Sequence, residues 1–424
     1  MRLVIAHVTE VHEPQHGVQR LTVEVCQGDV SVDTFSQVTH VSVPLEALRY
    51  EALAPPCEVG DTLLINTTAV DLGLGTGGVG FVVANLTAIE RSGPLAFNDD
   101  VSAGHIMKLR YTPLQHEALS VEEPASPHHE VMQQAHTLGG IPVVCCELHS
   151  QVPLVAAAIK YVMPEARVVY CMTDEAALLA SFSTLLADMR QVGLIDLSIS
   201  CGQAFGADME AVNLYSGMLA ATAVCAADVI ICAQGPGIVG TATRFGHGAL
   251  AQAQALNAVA SLGGVPIAPL RLSFADARKR HHGVSHHTLV VLGTACLAPA
   301  LIPLPDDLSP QQAATVKRQL EESNIFGRHM AADVSVAGAA IDTRGLRVTT
   351  MGRAQAEDPA FFSAAYAAGI LAASIAANPR AAEVSAEPPH EPPATPAPPA
   401  NPVSAPTEPA IDPVTAPPPQ PSAG

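Results

Sequence analysis

Residues 193–248 decide the fold and read GLIDLSISCGQAFGADMEAVNLYSGMLAATAVCAADVIICAQGPGIVGTATRFGHG. An apolar strand is followed by the turn Cys201-Gly202, an amphipathic helix, a second buried strand and a glycine-rich loop before the next helix. This order is a βαβ unit, whose right-handed crossover places both strands in one parallel sheet. Its polar and flexible residues lie at one end, so the sequence predicts a site there.

The same alternation continues on both sides of this unit. The strands are short and almost entirely apolar, for example IPVVCCE at 141–147 and ADVIICA at 227–233, which is typical of parallel strands covered by helices on both faces. The pattern predicts an α/β fold with a doubly wound, mainly parallel sheet. The predicted helices span 127–138, 151–162, 174–192, 207–225, 247–262, 286–298 and 309–323, and the predicted strands span 141–147, 167–172, 195–200, 228–233 and 265–272.

The ends of the chain show different patterns. Short alternating runs separated by turns predict a small antiparallel β-barrel or sandwich domain over residues 1–95. A polar connection at 92–105 marks the boundary with an α/β ligand-binding domain over 100–378. Residues 331–351 resemble a pair of strands. Residues 379–424 are almost entirely Pro, Ala, Glu, Ser and Thr, and they predict a disordered tail because this composition cannot bury a core.

Residues 73–78 read GLGTGG and match the pattern G-x-G-x-x-G of dinucleotide-binding proteins. That fingerprint needs a helix after the glycines, because the helix N-terminus receives the pyrophosphate. The next run, 79–86, is instead strand-like. We therefore interpret the glycines as a hairpin, which weakens the hypothesis of hydride transfer on a nucleotide.

Composition limits the partners and the compartment. The formal net charge of −19 argues against nucleic-acid binding, which needs concentrated Lys and Arg, but helix N-termini can still hold small anions. The nine cysteines include no C-x-x-C pair and favour reduced thiols in the cytoplasm. The N-terminus lacks the uninterrupted apolar region of a signal peptide. The uncharged segment 360–378 is rich in Ala, Gly and Ser, so we expect a buried helix rather than a membrane span.

Polar residues follow each predicted strand of the α/β domain. In doubly wound sheets ligands bind outside the carboxyl ends of the strands, because loops and helix N-termini meet there. We therefore expect a site at this edge, formed by residues 201–206, 235–247 and 276–287. The polar groups that the topology brings to it are Glu147, His149, Thr173, Asp174, Glu175, Cys201, Gln203, residues 234–247, Ser273, Asp276 and Arg278.

The glycine-rich loop, residues 235–248, combines flexible backbone, two hydroxyls and a guanidinium before a helix. These are the parts of an anion cradle. The loop is not a P-loop, because no Gly-Lys-Ser/Thr follows, and a purely structural loop is the alternative. The residues predicted to bind an anionic ligand here are Gly235, Gly237, Gly240, Thr241, Thr243 and Arg244.

Three further cations are predicted to hold the ligand. Lys108 and Arg110 lie in the strand-like run HIMKLRY at 105–111, where alternation places both on one face. Two adjacent cations could hold a carboxylate or phosphate, while a solvated or salt-bridged face is the structural alternative. Arg278 lies beside a histidine-rich segment and completes the predicted ligand-binding residues.

Four residues are candidate catalytic groups. Cys201 lies at a predicted strand-to-helix turn, where the positive end of the helix favours a thiolate nucleophile, although a small residue in a tight turn is the alternative. The segment RHHGVSHH at 280–287 is the densest ionisable cluster, and neutral imidazoles are general bases. His286 and His287 of this segment, with His247, are therefore the candidate acid–base residues.

A divalent metal is a candidate cofactor at the same segment. His282 and His286 are four residues apart, a spacing that suits metal ligation on one face of a helix. Gly283 would interrupt such a helix, and no neighbouring Cys or carboxylate completes a recognised signature. A structural or helix-capping role for these histidines stays open.

Four separated motifs carry a family resemblance: GHIMKLRYTPLQ (104–115), CGQAFGAD (201–208), GPGIVGTATRFGHG (235–248) and RHHGVSHHT (280–288). With them, residues 1–375 resemble an uncharacterised bacterial family, a domain of unknown function. Ala242 departs from the pattern, which has Gly at that place. The resemblance implies a bacterial protein of this architecture and supplies no catalytic residue.

Two hypotheses for function follow. The first is a cytoplasmic enzyme, a hydrolase or transferase, in which the glycine-rich loop and Arg244 hold a small anionic ligand while a histidine moves protons or holds a metal. The second is a non-catalytic ligand-binding or assembly protein whose Pro-rich tail recruits a partner. Neither involves nucleic acid or a membrane, and a homo-oligomer is compatible with both.

Overall fold

The computed structural model describes residues 1–26, 43–73, 78–92, 104–336 and 341–378. All the described residues belong to one compact unit. Most of the predicted connection at 92–105, the glycines at 74–77 and the predicted tail at 379–424 lie outside the described residues.

Five strands close an N-terminal barrel in the order β1-β2-β3-β5-β4, with β4 beside β1. Alternate residues such as Ala6, Val8, Leu21 and Val23 fill its interior. The predicted β-domain is confirmed as a barrel, and one of its strand pairs, β3 with β5, is parallel. The elements are β1 (Leu3–Val11), β2 (Val18–Val25), β3 (Val43–Tyr50), β4 (Thr62–Asn66), α1 (Thr68–Asp71), β5 (Gly80–Asn85) and α2 (Leu86–Ser92).

An eight-stranded, all-parallel sheet forms the rest of the unit, as the apolar strands predicted. Two hairpins stand apart from the sheet, β6 (Ile106–Lys108) with β7 (His116–Ala118), and β14 (Leu272–Ser273) with β15 (Gly283–Val284). The sheet strands are β8 (Pro142–Cys145), β9 (Val168–Thr173), β10 (Leu197–Cys201), β11 (Met209–Ala211), β12 (Val229–Gln234), β13 (Val265–Ile267), β16 (Leu301–Pro305) and β17 (Met330–Val334). Their order across the sheet is β11-β10-β9-β12-β8-β13-β16-β17.

Helices cover both faces of this sheet. The remaining helices are α3 (His129–Gln134), α4 (Val152–Val162), α5 (Thr184–Gln191), α6 (Leu214–Ala223), α7 (Leu250–Ser261), α8 (His286–Val290), a π-helical turn (Val291–Ala295), α9 (Pro310–Glu322) and α10 (Pro359–Ala377). One apolar core contains α4, α5 and most of α10, and the other contains α6, α7 and α9. The helices that follow β8 and β9 cover one face and those that follow β10 and β12 cover the other, so the loops after the neighbouring strands β8 and β12 diverge and leave room at the carboxyl edge.

Several predicted elements differ from the structure. The predicted strand at 265–272 ends at Ile267, and the predicted helix at 286–298 is α-helical only to Val290. The predicted helix at 174–192 begins only at Thr184, because the Ser183 hydroxyl accepts a hydrogen bond from the Leu186 amide and caps the helix there. The predicted helix at 207–225 is preceded by the edge strand β11, and α6 begins after the cap Asn213. Of the strand pair predicted at 331–351, β17 is the one strand among the described residues, and residues 341–349 have irregular backbone.

Among the described residues, α10 is the one helix that is long and apolar enough to cross a membrane, judged by length and composition alone. However, 67% of its most apolar 18-residue segment is buried inside the protein. It packs against α4 at a very short distance. A Cβ added to Gly369 would lie 2.3 Å from the Val155 carbonyl oxygen and 2.6 Å from the Ala158 Cβ. The absence of a side chain at Gly369 therefore allows the two helices to pack this closely.

We expect Gly369→Ala to lower the free energy of unfolding by about 1–3 kcal/mol, because the added methyl group must separate α10 from the α4 backbone. The destabilisation from the steric overlap is larger than the ~1 kcal/mol of stability that Ala gains over Gly through its higher helix propensity. Urea unfolding measures the difference. Ser374→Ala, at an exposed position of the same helix, is the control and should change stability by less than about 0.5 kcal/mol. A more stable Gly369→Ala variant would contradict the packing argument.

Candidate functional site

A fully buried carboxylate lies at the carboxyl edge of the sheet. Glu147 follows β8, and its Oε1 accepts a hydrogen bond from Arg271 Nη1 at 3.0 Å, while its Oε2 accepts one from the Thr288 hydroxyl at 2.5 Å. Burial would raise the pKa of Glu147, but the adjacent His287 ring, the charge of Arg271 and the Thr288 hydroxyl outweigh burial and lower this pKa to about 2. Glu147 is therefore an anion at neutral pH, although it has no access to water.

His287 is oriented by the ion pair between Glu147 and Arg271. Its Nδ1 lies 3.4 Å from Arg271 Nη1, which can only donate, and 3.6 Å from Glu147 Oε1, so Nδ1 accepts from Arg271 and we assign the ring proton to Nε2. Nε2 faces the glycine-rich loop, 3.7 Å from the place where a Cβ on Gly240 would be. An imidazole whose N–H is fixed in direction by its other nitrogen suits a proton donor.

Three more imidazoles surround His287, and the four rings form what we call the histidine cluster: His247, His281, His286 and His287. The His247 ring stacks on His287 with centroids 4.0 Å apart, and the His286 ring lies 4.2 Å from it. Among the described residues, His247 Nδ1 and His286 Nδ1 are buried and have no hydrogen-bond partner. The cluster thus holds ring nitrogens that are not satisfied by the protein itself.

Three rings of the cluster, those of His247, His281 and His286, resist protonation. Burial, followed by the charges of Arg271 and Arg278, lowers the pKa of His281 to about 3. Burial and the neighbouring rings of His287 and His247 lower the pKa of His286 to about 4, and burial also lowers the pKa of His247. These three imidazoles are therefore neutral at physiological pH, and the unpartnered Nδ1 atoms of His247 and His286 carry lone pairs that could accept protons.

The glycine-rich loop covers this cluster, since Gly240 forms an isolated bridge with His247. The two predicted hydroxyls bond within the loop: Thr241 Oγ1 lies 2.9 Å from Thr243 Oγ1 and 3.0 Å from the Gly246 carbonyl oxygen. The exposed Arg244 donates from Nη2 to the Thr294 hydroxyl. The loop is thus folded by its own polar groups.

The glycines of this loop have separate structural roles. A Cβ on Gly235 would lie 2.5 Å from the Ala177 carbonyl oxygen, and Gly237 has a φ of +94°, which side chains rarely adopt. Ala242, where the motif has Gly, has a φ of +60°. The departure from the motif therefore places an alanine in left-handed backbone.

The structure corrects the prediction that Lys108 and Arg110 share one face of a strand. Strand β6 ends at Lys108, and Leu109 has a φ of +50°, which breaks the alternation. The fully buried Lys108 Nζ donates to the carbonyl oxygens of Gly202 and Ala204, both at 2.9 Å, and lies 3.1 Å from Glu210 Oε2. Arg110 is exposed. Lys108 therefore anchors a loop, and its donors are occupied.

The structure also corrects the thiolate prediction for Cys201. The strand β11 follows it, so Cys201 is not at a helix N-terminus and lacks the positive potential that would stabilise a thiolate. Its contact with Cys171 and its burial raise the pKa of Cys201 well above the usual range. Cys201 is a neutral thiol in the apolar core at neutral pH.

Arg278 and His282 lie beside the histidine cluster. Arg278 forms a bidentate ion pair with Asp276, with Nε–Oδ1 and Nη2–Oδ2 distances of 2.9 and 2.7 Å. The exposed His282 packs edge-on against Phe274, and α8 begins only at His286, so His282 and His286 do not share the helix face on which the metal prediction rested. Within the described part of the chain, no three His, Cys, Asp or Glu side chains are placed to hold a metal ion.

The two main partners of Glu147 were not predicted. Arg271 lies inside the run VPIAPLRL, which was predicted to be a strand, and Thr288 lies inside a predicted helix. A cation within an apolar run was the available signal for Arg271, because a buried guanidinium needs an anionic partner. Nothing in the local sequence of Thr288 marks it as a hydrogen-bond donor to Glu147.

These features define an α/β protein with an N-terminal barrel and a polar, histidine-rich site at the carboxyl edge of a parallel sheet. A family model described as a protein of unknown function (DUF3866) matches residues 46–369, and the chain belongs to this family. No curated protein and no solved structure matches the chain.

The pH dependence of stability tests the state of Glu147. An unfolded Glu has a pKa of about 4.3, so the lower folded pKa stabilises the protein above that pH, and this stability is lost as the pH falls towards 2. The difference corresponds to about 3 kcal/mol. In Glu147→Gln we expect lower stability at pH 7 and a flatter loss between about pH 4.5 and 2, measured by urea unfolding. Glu321→Gln, at an exposed position, should match the unsubstituted protein. If the free energy of unfolding of Glu147→Gln changed with pH in parallel with that of the unsubstituted protein, Glu147 would not be the group whose protonation destabilises the fold.

A second substitution tests the strain at Ala242. We expect Ala242→Gly to raise the free energy of unfolding by up to about 1 kcal/mol, because glycine relieves the left-handed backbone at this position. Ala356→Gly, at an exposed turn position without a positive φ, should lower stability by about 0.5–1 kcal/mol. Thermal unfolding of both variants measures their stabilities relative to the unsubstituted protein. An equal loss of stability in the two variants would show that the backbone at Ala242 is unstrained.

Proposed function

We propose that the chain binds a small anionic ligand at the histidine cluster, beneath the glycine-rich loop. The observation that carries the proposal is that two arginines beside the cluster, Arg244 and Arg280, form no ion pair in the described part of a chain whose formal net charge is −19. After burial, the charges of Arg271 and Arg278 are the next causes of the low pKa of His281, and Arg280 contributes to the low pKa of His286. A bound anion would offset these positive charges.

Two guanidinium groups at the site have N–H donors that could bind such a ligand. Neither Arg244 nor Arg280 forms an ion pair with a carboxylate in the described part of the chain, whereas Arg271 and Arg278 are paired with Glu147 and Asp276. Arg280 donates from Nε to His281, and Arg244 donates from Nη2 to Thr294, so each keeps further N–H groups. Guanidinium groups bind carboxylates and phosphates through short, charge-assisted hydrogen bonds.

Ligand binding should be coupled to protonation of the cluster. A negative ligand raises the pKa of nearby imidazoles, and each proton taken up converts a lone pair into a hydrogen-bond donor for the anion. The unpartnered Nδ1 atoms of His247 and His286 are the positions where such protons would be accommodated. Affinity for an anion should therefore increase as the pH falls from 7 towards 5.

A hydrolase or transferase is the activity that this arrangement supports. With Nδ1 accepting from Arg271, His287 directs its Nε2–H at the loop, where it would give a proton to the leaving group of a bound ester or anhydride. The anionic group of the ligand would be held by Arg244 and Arg280 during this step. A non-catalytic binding protein would use the same cations without needing His287 as an acid.

Titration with inorganic pyrophosphate tests the binding site. We expect saturable binding by calorimetry with uptake of protons at pH 6, and about 10-fold to 100-fold weaker binding in Arg280→Gln or Arg244→Gln, since a charged hydrogen bond contributes about 1.5–3 kcal/mol. Arg318→Gln is the matched control, because Arg318 is exposed and paired with Glu322 on α9. Lack of binding of pyrophosphate, phosphate and citrate by the unsubstituted protein would refute the proposal, as would an equal loss in the control.

His287→Gln separates the catalytic from the non-catalytic form of the proposal. In an enzyme this variant should keep pyrophosphate affinity within about threefold and lose turnover of phosphate esters or anhydrides by about 100-fold or more, because general acid–base catalysis contributes about that factor. If the chain is a non-catalytic binding protein, neither the unsubstituted protein nor His287→Gln should show turnover.

A further inference from the structure

A second polar assembly lies outside the histidine cluster and is not used by the proposed function. His149 follows β8 two residues after Glu147, and its ring nitrogen Nε2 lies 2.7 Å from the hydroxyl oxygen of Ser183. Both side chains are more than nine-tenths buried. A serine and a histidine at this distance are the two groups that nucleophilic catalysis by a hydroxyl requires.

We propose that Ser183 is a nucleophile activated by His149, and that it accepts the acyl group of a carboxylic ester. The assignment depends on which nitrogen of His149 carries the proton. Nδ1 lies 3.2 Å from the Tyr170 hydroxyl oxygen, and that hydroxyl donates to the carbonyl oxygens of Ala233 and Gln234. Because the Tyr170 proton is already committed, its oxygen accepts from Nδ1, and Nε2 is left as the base that faces Ser183.

The remaining contacts of Ser183 agree with this direction of proton transfer. Its Oγ accepts a hydrogen bond from the Leu186 amide at 3.0 Å, so its own proton is directed towards His149 Nε2. Burial lowers the pKa of His149 to about 4, although the Gln234 carbonyl oxygen opposes this effect. His149 is thus neutral at physiological pH and able to accept the proton.

Space for a substrate lies next to Ser183. The residue borders a cavity of about 760 Å³ at the N-terminus of α5, with Ser181, Leu186, Arg190 and Asp208 among the other lining residues. Arg190 and Asp208 form an ion pair, so this cavity has polar walls without a free charge from that pair. A neutral ester with a short acyl group suits such a cavity better than an anion.

Helix α5 supplies amides for the negative charge that forms during acyl transfer. Ser183 is its N-cap, and the first-turn amides of Thr184 and Leu185 have no acceptor within a helix. An oxyanion near Ser183 Oγ would therefore meet backbone donors and the positive end of an eight-residue helix.

The reaction proceeds in two steps. Ser183 Oγ attacks the ester carbonyl carbon, its proton moves to His149 Nε2, and the alcohol leaves with that proton as the carbon–oxygen bond breaks. Water then attacks the acyl-serine, gives a proton to His149 and releases the carboxylic acid, while Ser183 recovers the proton from His149. Water is the only co-reactant, and no oxidation or reduction occurs.

Labelling with a fluorophosphonate tests the nucleophile in the full chain. This probe phosphonylates a serine only where a base activates the hydroxyl, with loss of fluoride. We expect one phosphonyl adduct, located at Ser183 by peptide mass spectrometry, in the unsubstituted folded protein. An adduct at a different residue, or none after prolonged exposure, would overturn the inference without any variant being needed.

Variants then separate nucleophile, base and helix cap. Ser183→Asn keeps an N-cap acceptor for α5 and should abolish both labelling and hydrolysis of 4-nitrophenyl acetate. His149→Gln should slow labelling by about 100-fold or more, since it removes the base. Ser181→Ala, in the same cavity, should label at the unsubstituted rate. Full labelling of His149→Gln would contradict the role of the base.

The outcome is independent of the anion site. Arg280→Gln should leave fluorophosphonate labelling unchanged, and Ser183→Asn should leave pyrophosphate affinity unchanged. Loss of labelling in Arg280→Gln would show that Ser183 belongs to the same site as the histidine cluster and would overturn its assignment as a separate one.

Discussion

The ion pair between Glu147 and Arg271 is the constraint on which the carboxyl edge depends. It joins the loop after β8 to the segment after β13, and the Thr288 hydroxyl adds the first turn of α8 to the same carboxylate. Two buried charges are costly to remove from water, and the cost is offset only when both are fully hydrogen-bonded. Glu147 is therefore placed with little freedom, and His287, which contacts it, takes its orientation from that placement.

The end of β8 directs polar groups to both faces of the sheet. Glu147 is bound to α8 on one face, while His149 contacts Tyr170 and Ser183 on the other. The two sites consequently share a strand but use separate residues. Such sharing is a consequence of the strand order, because the connections of neighbouring strands leave in opposite directions at this edge.

The sequence revealed the α/β class and the barrel because both depend on local periodicity. The apolar runs of β8, β9, β10 and β12 and the alternation of β1 and β2 are properties of a few adjacent residues. The pair Glu147–Arg271 joins residues 124 positions apart, and no local pattern encodes that contact. The histidine-rich segment was recognised from its composition, whereas Ser183 was hidden inside a predicted helix, where a serine carries no signal of its own.

Helix α10 has a consequence for synthesis of the protein on the ribosome. It packs over α4, β8 and β16, so it completes the cover of one sheet face although it lies last among the described elements. Until residues 359–377 have left the exit tunnel, the apolar surface that they bury stays open to water and to other chains. During translation this protein therefore has a late folding step, and nascent chains that end before Pro359 present a surface that molecular chaperones recognise.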